Sequence, residues 1–342
     1  VGNITRMETL TPHGWAQLIA LEKRGLSSWN AETVDALYKC ADCGNCQSHC
    51  VYDNPLPEGI AAARAGLVDQ GIAPAIVYEM AEILGSWENP YQPQRPEKAS
   101  GRGDAALFVG DDAHFLKPDL VAAAVRLLRA VGVDPVLIGR GRNTGYLASS
   151  LGLTAVAQDL ALANLAEVEA TGARRLFVLS PGELFAFTRM YEERLGLRVP
   201  EEVEVVDVVS FLADRVAAGG LRLDRLDGHE SVAYVDPTHS VRVKSRFPAP
   251  RRLLEQVLPE PALELFWRGG HAYPCGDLAL QFTQPQIADA LTQARLLDAV
   301  NVGASMVVTE GAGSLAHLER HAGAHELKVR GLYQLLAEQL AD

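Results

Sequence analysis

Four of the five cysteines fall within eleven residues, Cys40, Cys43, Cys46 and Cys50 of the run CADCGNCQSHC, spaced C-x2-C-x2-C-x3-C. Thiols this dense do not make a disulfide framework, which spreads its bridges along a small secreted chain. They must wrap around something compact. Two-residue spacers turn consecutive cysteines inward around one inorganic core, the spacing of bacterial ferredoxin ligands. Structural zinc is the competing reading, but it usually takes two C-x2-C knuckles far apart in sequence to complete its tetrahedron. The run therefore predicts a [4Fe–4S] cluster on Cys40, Cys43, Cys46 and Cys50. Gly44 lets the backbone approach closely, and N–H groups there can bond to sulfide. Cys50 carries an alternative: in two-cluster ferredoxins the fourth cysteine serves the other cluster. The proline that follows it in such runs is replaced here by Val51.

The 342 residues suffice for two or three compact domains, and 48% hydrophobic residues supply a sizeable core. A formal charge of −12 argues against a general nucleic-acid or anionic-membrane binder. No apolar run reaches the ~18–20 residues of a membrane span. The first residues are polar, without the apolar stretch of a signal peptide. A reducing compartment is expected: the cytoplasm, or the cytoplasmic face of a membrane complex.

The pattern divides the chain into a helical cluster domain over 1–88, a linker over 89–103, and two α/β halves over 104–228 and 229–342. In the first region Thr11 is the expected N-cap of a helix over Pro12 to Lys23, and Asn30 of one running toward Lys39. Two further helices are expected near Pro57–Asp69 and Ala73–Leu84. Pro90, Pro93 and Pro96 mark the linker. Beyond it, strands are expected at Ala105–Gly110, Pro135–Ile138, Leu176–Leu179 and Val203–Val206, with a helix over Pro118–Val131. Strands alternating with helices of this length predict parallel sheets.

This region repeats itself. DAALFVGDDAH (104–114) pairs with ESVAYVDPTHS (230–240), and ATGARRLFVLSPGELFAF (170–187) with NVGASMVVTEGAGSLAHL (301–318). Each pair shares a strand followed by a loop and a helix. Duplication of one α/β unit accounts for this, and the crevice between such halves is a natural ligand site.

These features together resemble the heterodisulfide-reductase-like iron–sulfur subunits, which include glycolate oxidase and lactate utilisation subunits. The resemblance covers nearly the whole chain. It implies a ferredoxin-type helical domain followed by a duplicated cysteine-rich domain. Thr11-Pro12-His13-Gly14 looks like the Ser-Pro-Arg-Gly that opens the helix between two ferredoxin runs, which would put a first run just upstream of Val1. The second region departs from the family. Asp111, the 141–145 segment and Ser180-Pro181-Gly182-Glu183 stand where the first half would carry cysteines. In the second half Thr238 stands for a cysteine, Cys275 remains from a doublet, and Thr309 to Ser314 lacks both of its cysteines. No cluster and no disulfide-reductase chemistry is expected there, and Cys275 is expected to be a buried relic.

Other polar groups gather at the strand ends: Asp111, Asp112, His114, Asp236, Thr238, His239, His271, Asp277 and Glu310. They suit a metal or a substrate; the plainer reading, preferred on sequence, is that they became loop caps and turn formers. The stretch Gly139-Arg140-Gly141-Arg142 lacks a phosphate-binding pattern and is expected to be a turn with solvated arginines. Arg242, Lys244, Arg246, Arg251 and Arg252 are expected to be a solvated loop and helix start, with docking of an acidic partner as the alternative. Trp29, Tyr38, Tyr52 and Trp87 are expected mostly in the core, shielding the cluster.

The function expected is an electron-transfer subunit of an oxidoreductase, relaying electrons through one cluster to or from a flavoprotein partner, without substrate chemistry of its own. One alternative is a scaffold or binding protein with a structural or redox-sensing cluster. Another is an enzyme that reuses the crevice around Asp111, Asp236 and His239.

Overall fold

A computed structural model describes residues 1–228 and 230–341; His229 and Asp342, the ends of the expected second half, lie outside the described residues. The chain is mixed α/β: a helical region followed by two four-stranded parallel sheets.

In the helical region the caps act as their chemistry dictates. The Thr11 hydroxyl accepts from Gly14 N at the start of Pro12–Lys23. Asn30 and Thr33 form a reciprocal capping box on Ala31–Tyr38. The short helix Asn45–His49 starts at Gly44, whose φ of 86° is left-handed. The third long helix spans Leu56–Asp69. The fourth spans Ala75–Trp87, later than the expected Ala73–Leu84. Pro74 is extended, with ψ 146°, and caps the helix that begins at Ala75; left-handed Glu88 ends it.

The first sheet contains β1 (Ala105–Val109), β2 (Val136–Arg140), β3 (Arg175–Val178) and β4 (Glu204–Asp207), in the order β2-β1-β3-β4. The second contains β5 (Val232–Tyr234), β6 (Leu263–Glu264), β7 (Met306–Thr309) and β8 (Lys328–Gly331), in the order β6-β5-β7-β8. The two orders are the same, as the repeat in sequence predicts. Gly110, expected in the first strand, instead turns left-handed (φ 72°) and opens the helix Gly110–Leu116.

Alternation along the strands assigns the layers. Ala106 and Phe108 of β1 pack with the N-terminal helices. Ala105, Leu107 and Val109 face the other way, into a core shared with Val232 and Tyr234 of β5. That shared core is filled by Leu127 and Leu128 of Pro118–Ala130, Leu212 of Val208–Ala217, Leu253 of Pro248–Val257 and Leu335 of Leu332–Glu338. Ala233, Val235 and Val307 form the outer core of the second sheet. Each sheet is thus covered on both faces, as parallel sheets require. The carboxyl ends of the strands in both halves lead into one crevice.

The segment after Trp87 lies against the first sheet. Asn89 is fully buried and bonds Trp87 O and Gln94 O, and Glu97 bridges to Arg140.

Candidate iron–sulfur site and the crevice beside it

Cys40, Cys43, Cys46 and Cys50 line one cavity of about 360 Å³. All four are free thiols, with Cys40 buried and the others half-buried. Trp15, Trp267, Tyr273 and Pro57 complete the wall, and the Trp267 and Tyr273 rings stack at 4.3 Å. The second α/β half therefore supplies part of the lid over the cysteine loop. His49 and His271 meet beside it, with ring nitrogens 2.9 Å apart.

The donor set suits an iron–sulfur cluster. The four cysteines offer soft thiols, and backbone N–H groups point at sulfur: Asp42 N donates to Cys40 at 3.4 Å, Asn45 N to Cys43 and Gln47 N to Cys46. Such bonds stabilise thiolate and tune a cluster. Burial pushes the Cys40 thiol up to about 11. Burial, with the neighbouring thiols, pushes Cys46 up to about 12. Binding a metal cluster on these thiols would therefore release protons.

Buried charge fixes the loop. Arg64, from Leu56–Asp69, is 1% exposed. It donates to Leu37 O (2.8 Å), Cys40 O (2.7 Å) and Ser150 O (2.7 Å). It thereby closes the open carbonyls where Ala31–Tyr38 ends and the cysteine run begins. Asp42, inside the run, is buried with φ 46°. Its carboxylate accepts from Arg194 at 2.9 and 3.2 Å and from Arg242, and its carbonyl accepts from Arg242 at 2.8 Å. Burial opposes ionisation of Asp42, but Arg194 and Arg242 outweigh it and hold the carboxyl well below the usual range. Glu58 accepts from both arginines. Arg194 belongs to the first α/β half and Arg242 to the second, so both halves grip the loop. Gly44 has no room for a side chain, since a Cβ there would lie 2.7 Å from Arg242 Cδ.

Tyr146 connects this loop to the crevice. Its hydroxyl donates to Asp42 O at 3.1 Å, and its ring packs 4.7 Å from that of His239. The crevice is lined by Asp111, Asp112, Glu183, Thr238, His239 and Asp277, among others. Asp111 accepts from Asn143 (2.8 Å) and Asp112 from the Tyr91 hydroxyl (2.6 Å). Asp277 accepts from the Ser314 hydroxyl at 3.0 Å and from Thr238. Glu183 caps Leu179 N and Ser180 N. Burial raises these carboxyls, Asp111 to about 7 with Asp112 contributing, Asp112 to about 6 and Glu183 to about 8. Burial and then Arg242 hold His239 down to about 3, so it is neutral.

The other strand-end candidates serve elsewhere. Asp236 pairs with Arg251 and caps Gly269 N at 2.9 Å. Glu310 is clamped by Arg246 at 2.6 Å and by the Tyr234 hydroxyl. His114 packs against Phe115, outside the crevice. Cys275 is fully buried in the outer core, with its N–H bonded to the Thr238 hydroxyl. Among the described residues, no three His, Cys, Asp or Glu side chains stand close enough to hold a single metal ion.

Three expectations are corrected. The basic stretch is solvated only in part: Lys244 and Arg252 are exposed as expected, but Arg242 and Arg246 are 8% and 3% exposed and Arg251 is paired to Asp236 and Glu264, because each of these three found carboxylates in the fold. Arg142 is likewise a buried link between Glu88 and Glu167, not a solvated turn residue. Of the four aromatics expected mostly in the core, Tyr38 alone is buried: Trp29 is half-buried, Trp87 is exposed, and Tyr52 is 92% exposed, because the turn after Cys50 points it outward. The aromatics at the cysteines are instead Trp15, Trp267 and Tyr273.

No family model matches the chain. Among known proteins, a subunit of the dihydromethanophenazine:CoB–CoM heterodisulfide reductase from Methanosarcina barkeri is 24% identical over 90% of this chain and 79% of its own length. Its Methanosarcina mazei counterpart is 26% identical over 76% and 69%. The chain is a homologue of these heterodisulfide reductase subunits. The probable iron–sulfur-binding oxidoreductase FadF of Bacillus subtilis is 21% identical over 80% of this chain and 42% of its own. A crystal structure of a hypothetical protein from Helicobacter pylori shares the fold, with a TM-score of 0.67 over 97% of this chain and 68% of that one, at 13% identity. No helix among the described residues is long and apolar enough to cross a membrane.

Proposed function

We propose that this relative of the heterodisulfide reductase subunits is an iron–sulfur electron-transfer subunit of an oxidoreductase complex. It carries one [4Fe–4S] cluster on Cys40, Cys43, Cys46 and Cys50, within a cluster domain spanning 1–88. Electrons pass to or from a flavoprotein partner, in the cytoplasm or at the cytoplasmic face of a membrane complex. The observation that carries this reading is the gathering of all four thiols on one cavity. It supports Cys50 closing the same cluster as the other three.

When bound, the cluster supplies reversible one-electron storage. The chain does the rest. Trp15, Trp267 and Tyr273 wall off part of the cavity from water. Backbone N–H groups of Asp42, Asn45 and Gln47 hold negative charge on sulfur. The Arg64 and Arg242 guanidiniums, fixed beside the loop, favour the more negative reduced state.

Anaerobically purified protein should hold about four irons and four sulfides per chain. It should give an EPR signal on reduction that a flavoprotein donor also produces. Replacing any one of the four cysteines by alanine should lower the iron content. Zinc without iron overturns the reading. A cluster that physiological reductants cannot reduce overturns the relay and leaves a structural cluster.

A further inference from the structure

The three most exposed large apolar side chains among the described residues are Val51, Tyr52 and Phe266, at 95%, 92% and 73%. Single exposed apolar residues are ordinary on a protein surface. These three are not scattered. Val51 and Tyr52 directly follow Cys50, and Phe266 directly precedes Trp267, so segments 214 residues apart in sequence both end at the cysteine cavity. The two segments are joined there. Ser48 Oγ donates to Gly270 O at 2.6 Å, and the His49 and Trp267 rings, which both line the cavity, stand 6.2 Å apart.

Neither segment is loose. Asp53 N donates to Cys50 O at 3.0 Å, closing the turn that carries Val51 and Tyr52, and Asp53 itself is left-handed with φ 50°. The Phe266 ring meets Trp267 edge-on at 4.9 Å. Apolar side chains held outward on a fixed backbone lose little freedom on docking. Aromatic anchors of this kind carry a large share of interface energy, and arginine often accompanies them. Arg251, Arg252 and Arg268 line the groove beside Phe266, against one acid, Glu255. Arg251 is taken by Asp236 and Glu264. Arg252 and Arg268 are about half exposed and reach Asp214 and Glu264 only at 3.5 and 3.4 Å, so both can turn to a partner.

We propose that Val51, Tyr52 and Phe266 anchor the docking face of the flavoprotein partner, whose own surface is apolar opposite them and acidic opposite Arg252 and Arg268. It rests on this chain being an electron relay. A relay needs its partner's cofactor close to the cluster, and the backbone that presents these anchors also presents Cys50 and Trp267. A second copy meeting this face across a two-fold axis would bring the same arginines into one interface, without an acid to answer them.

The test isolates the chain anaerobically, with the complex it forms in its own cells, and measures flavin and iron per chain. The unmodified complex should carry flavin, and reducing that flavin should reduce the cluster. Tyr52→Asp and Phe266→Asp should each lower the retained flavin by about tenfold. Arg268→Glu should lower it by about threefold, an effect that depends on salt. Iron per chain and reduction by dithionite should stay unchanged, because a small reductant needs no docking face. Leu26→Asp is the control: Leu26 is 70% exposed but lies off the cavity wall, so flavin should be retained. Undiminished flavin in Tyr52→Asp and Phe266→Asp overturns the docking face and leaves the relay standing. Loss of iron in either variant overturns it too, because these side chains would then support the fold. A complex without flavin overturns the flavoprotein partner and the face together. Variants that change the sedimentation of the chain alone, and not its flavin, assign the face to a second copy and overturn the proposal.

Discussion

Asp42 sits in the middle of the cysteine run, yet its partners are Arg194 and Arg242, 152 and 200 residues away. Replacing it by asparagine leaves two buried guanidiniums with Glu58 alone. Asp42→Asn should cost roughly 3–5 kcal/mol. It should also speed the loss of iron to a chelator, followed by the fading of visible absorbance. At this scale the sequence was half legible. The gathering of the four cysteines on one cavity was readable from their spacing. Arg242 was not, because a sequence shows a cation without showing the carboxylate it will meet. The same holds for Arg246 with Asp207 and Glu310, and for Trp267, which meets the cysteines only because the second half folds back.

At the scale of elements, the cysteine loop depends on how closely two helices approach. Gly152 ends the helix Tyr146–Leu151 with φ 85°, and a Cβ there would lie 2.5 Å from the Arg64 carbonyl carbon. Gly152→Ala should push this helix off Leu56–Asp69. That disturbs the Arg64 bond to Ser150 and the Tyr146 bond to Asp42 together. A loss of about 2–4 kcal/mol and a lower iron content are expected. Gly219→Ala is the control. Gly219 has a similar φ of 72° with nothing within 4 Å, so only the left-handed cost of about 1 kcal/mol should appear. Urea unfolding of both variants separates the two effects. Helix starts were well legible where a cap names itself, as at Thr11 and Asn30. Ends set by backbone angle, as at Pro74 and Gly110, were placed only approximately.

For the whole molecule, the buried carboxyls of the crevice make stability depend on pH. Asp111, Asp112 and Glu183 are pushed up to about 7, 6 and 8. In the unfolded chain such groups titrate near pH 4. The folded state therefore holds protons that the unfolded state has released. Their contribution is complete below about pH 4 and is lost as pH rises through about 6 to 8. Stability should fall by up to ~1.4 kcal/mol per pH unit for each group titrating, between about pH 4 and 8, and the Tm should fall with it. Asp111→Asn should flatten that fall, and a scan of Tm against pH for both proteins checks it. The duplication behind this crevice was legible as a repeat. The way the halves share it was not, because strands buried on both faces do not reveal which helices cover which side.

The layer of helices between the two sheets has a consequence for modularity. Leu107 of one copy and Tyr234 of the other belong to the same core. The second copy keeps a smaller outer core around Ala233 and Val307, but the inner face of each sheet has its core only in common with the other. What began as two interchangeable units has become one indivisible body. Cutting the chain between them would release two sticky half-molecules, so a fusion or split-protein design on this scaffold must keep both copies together.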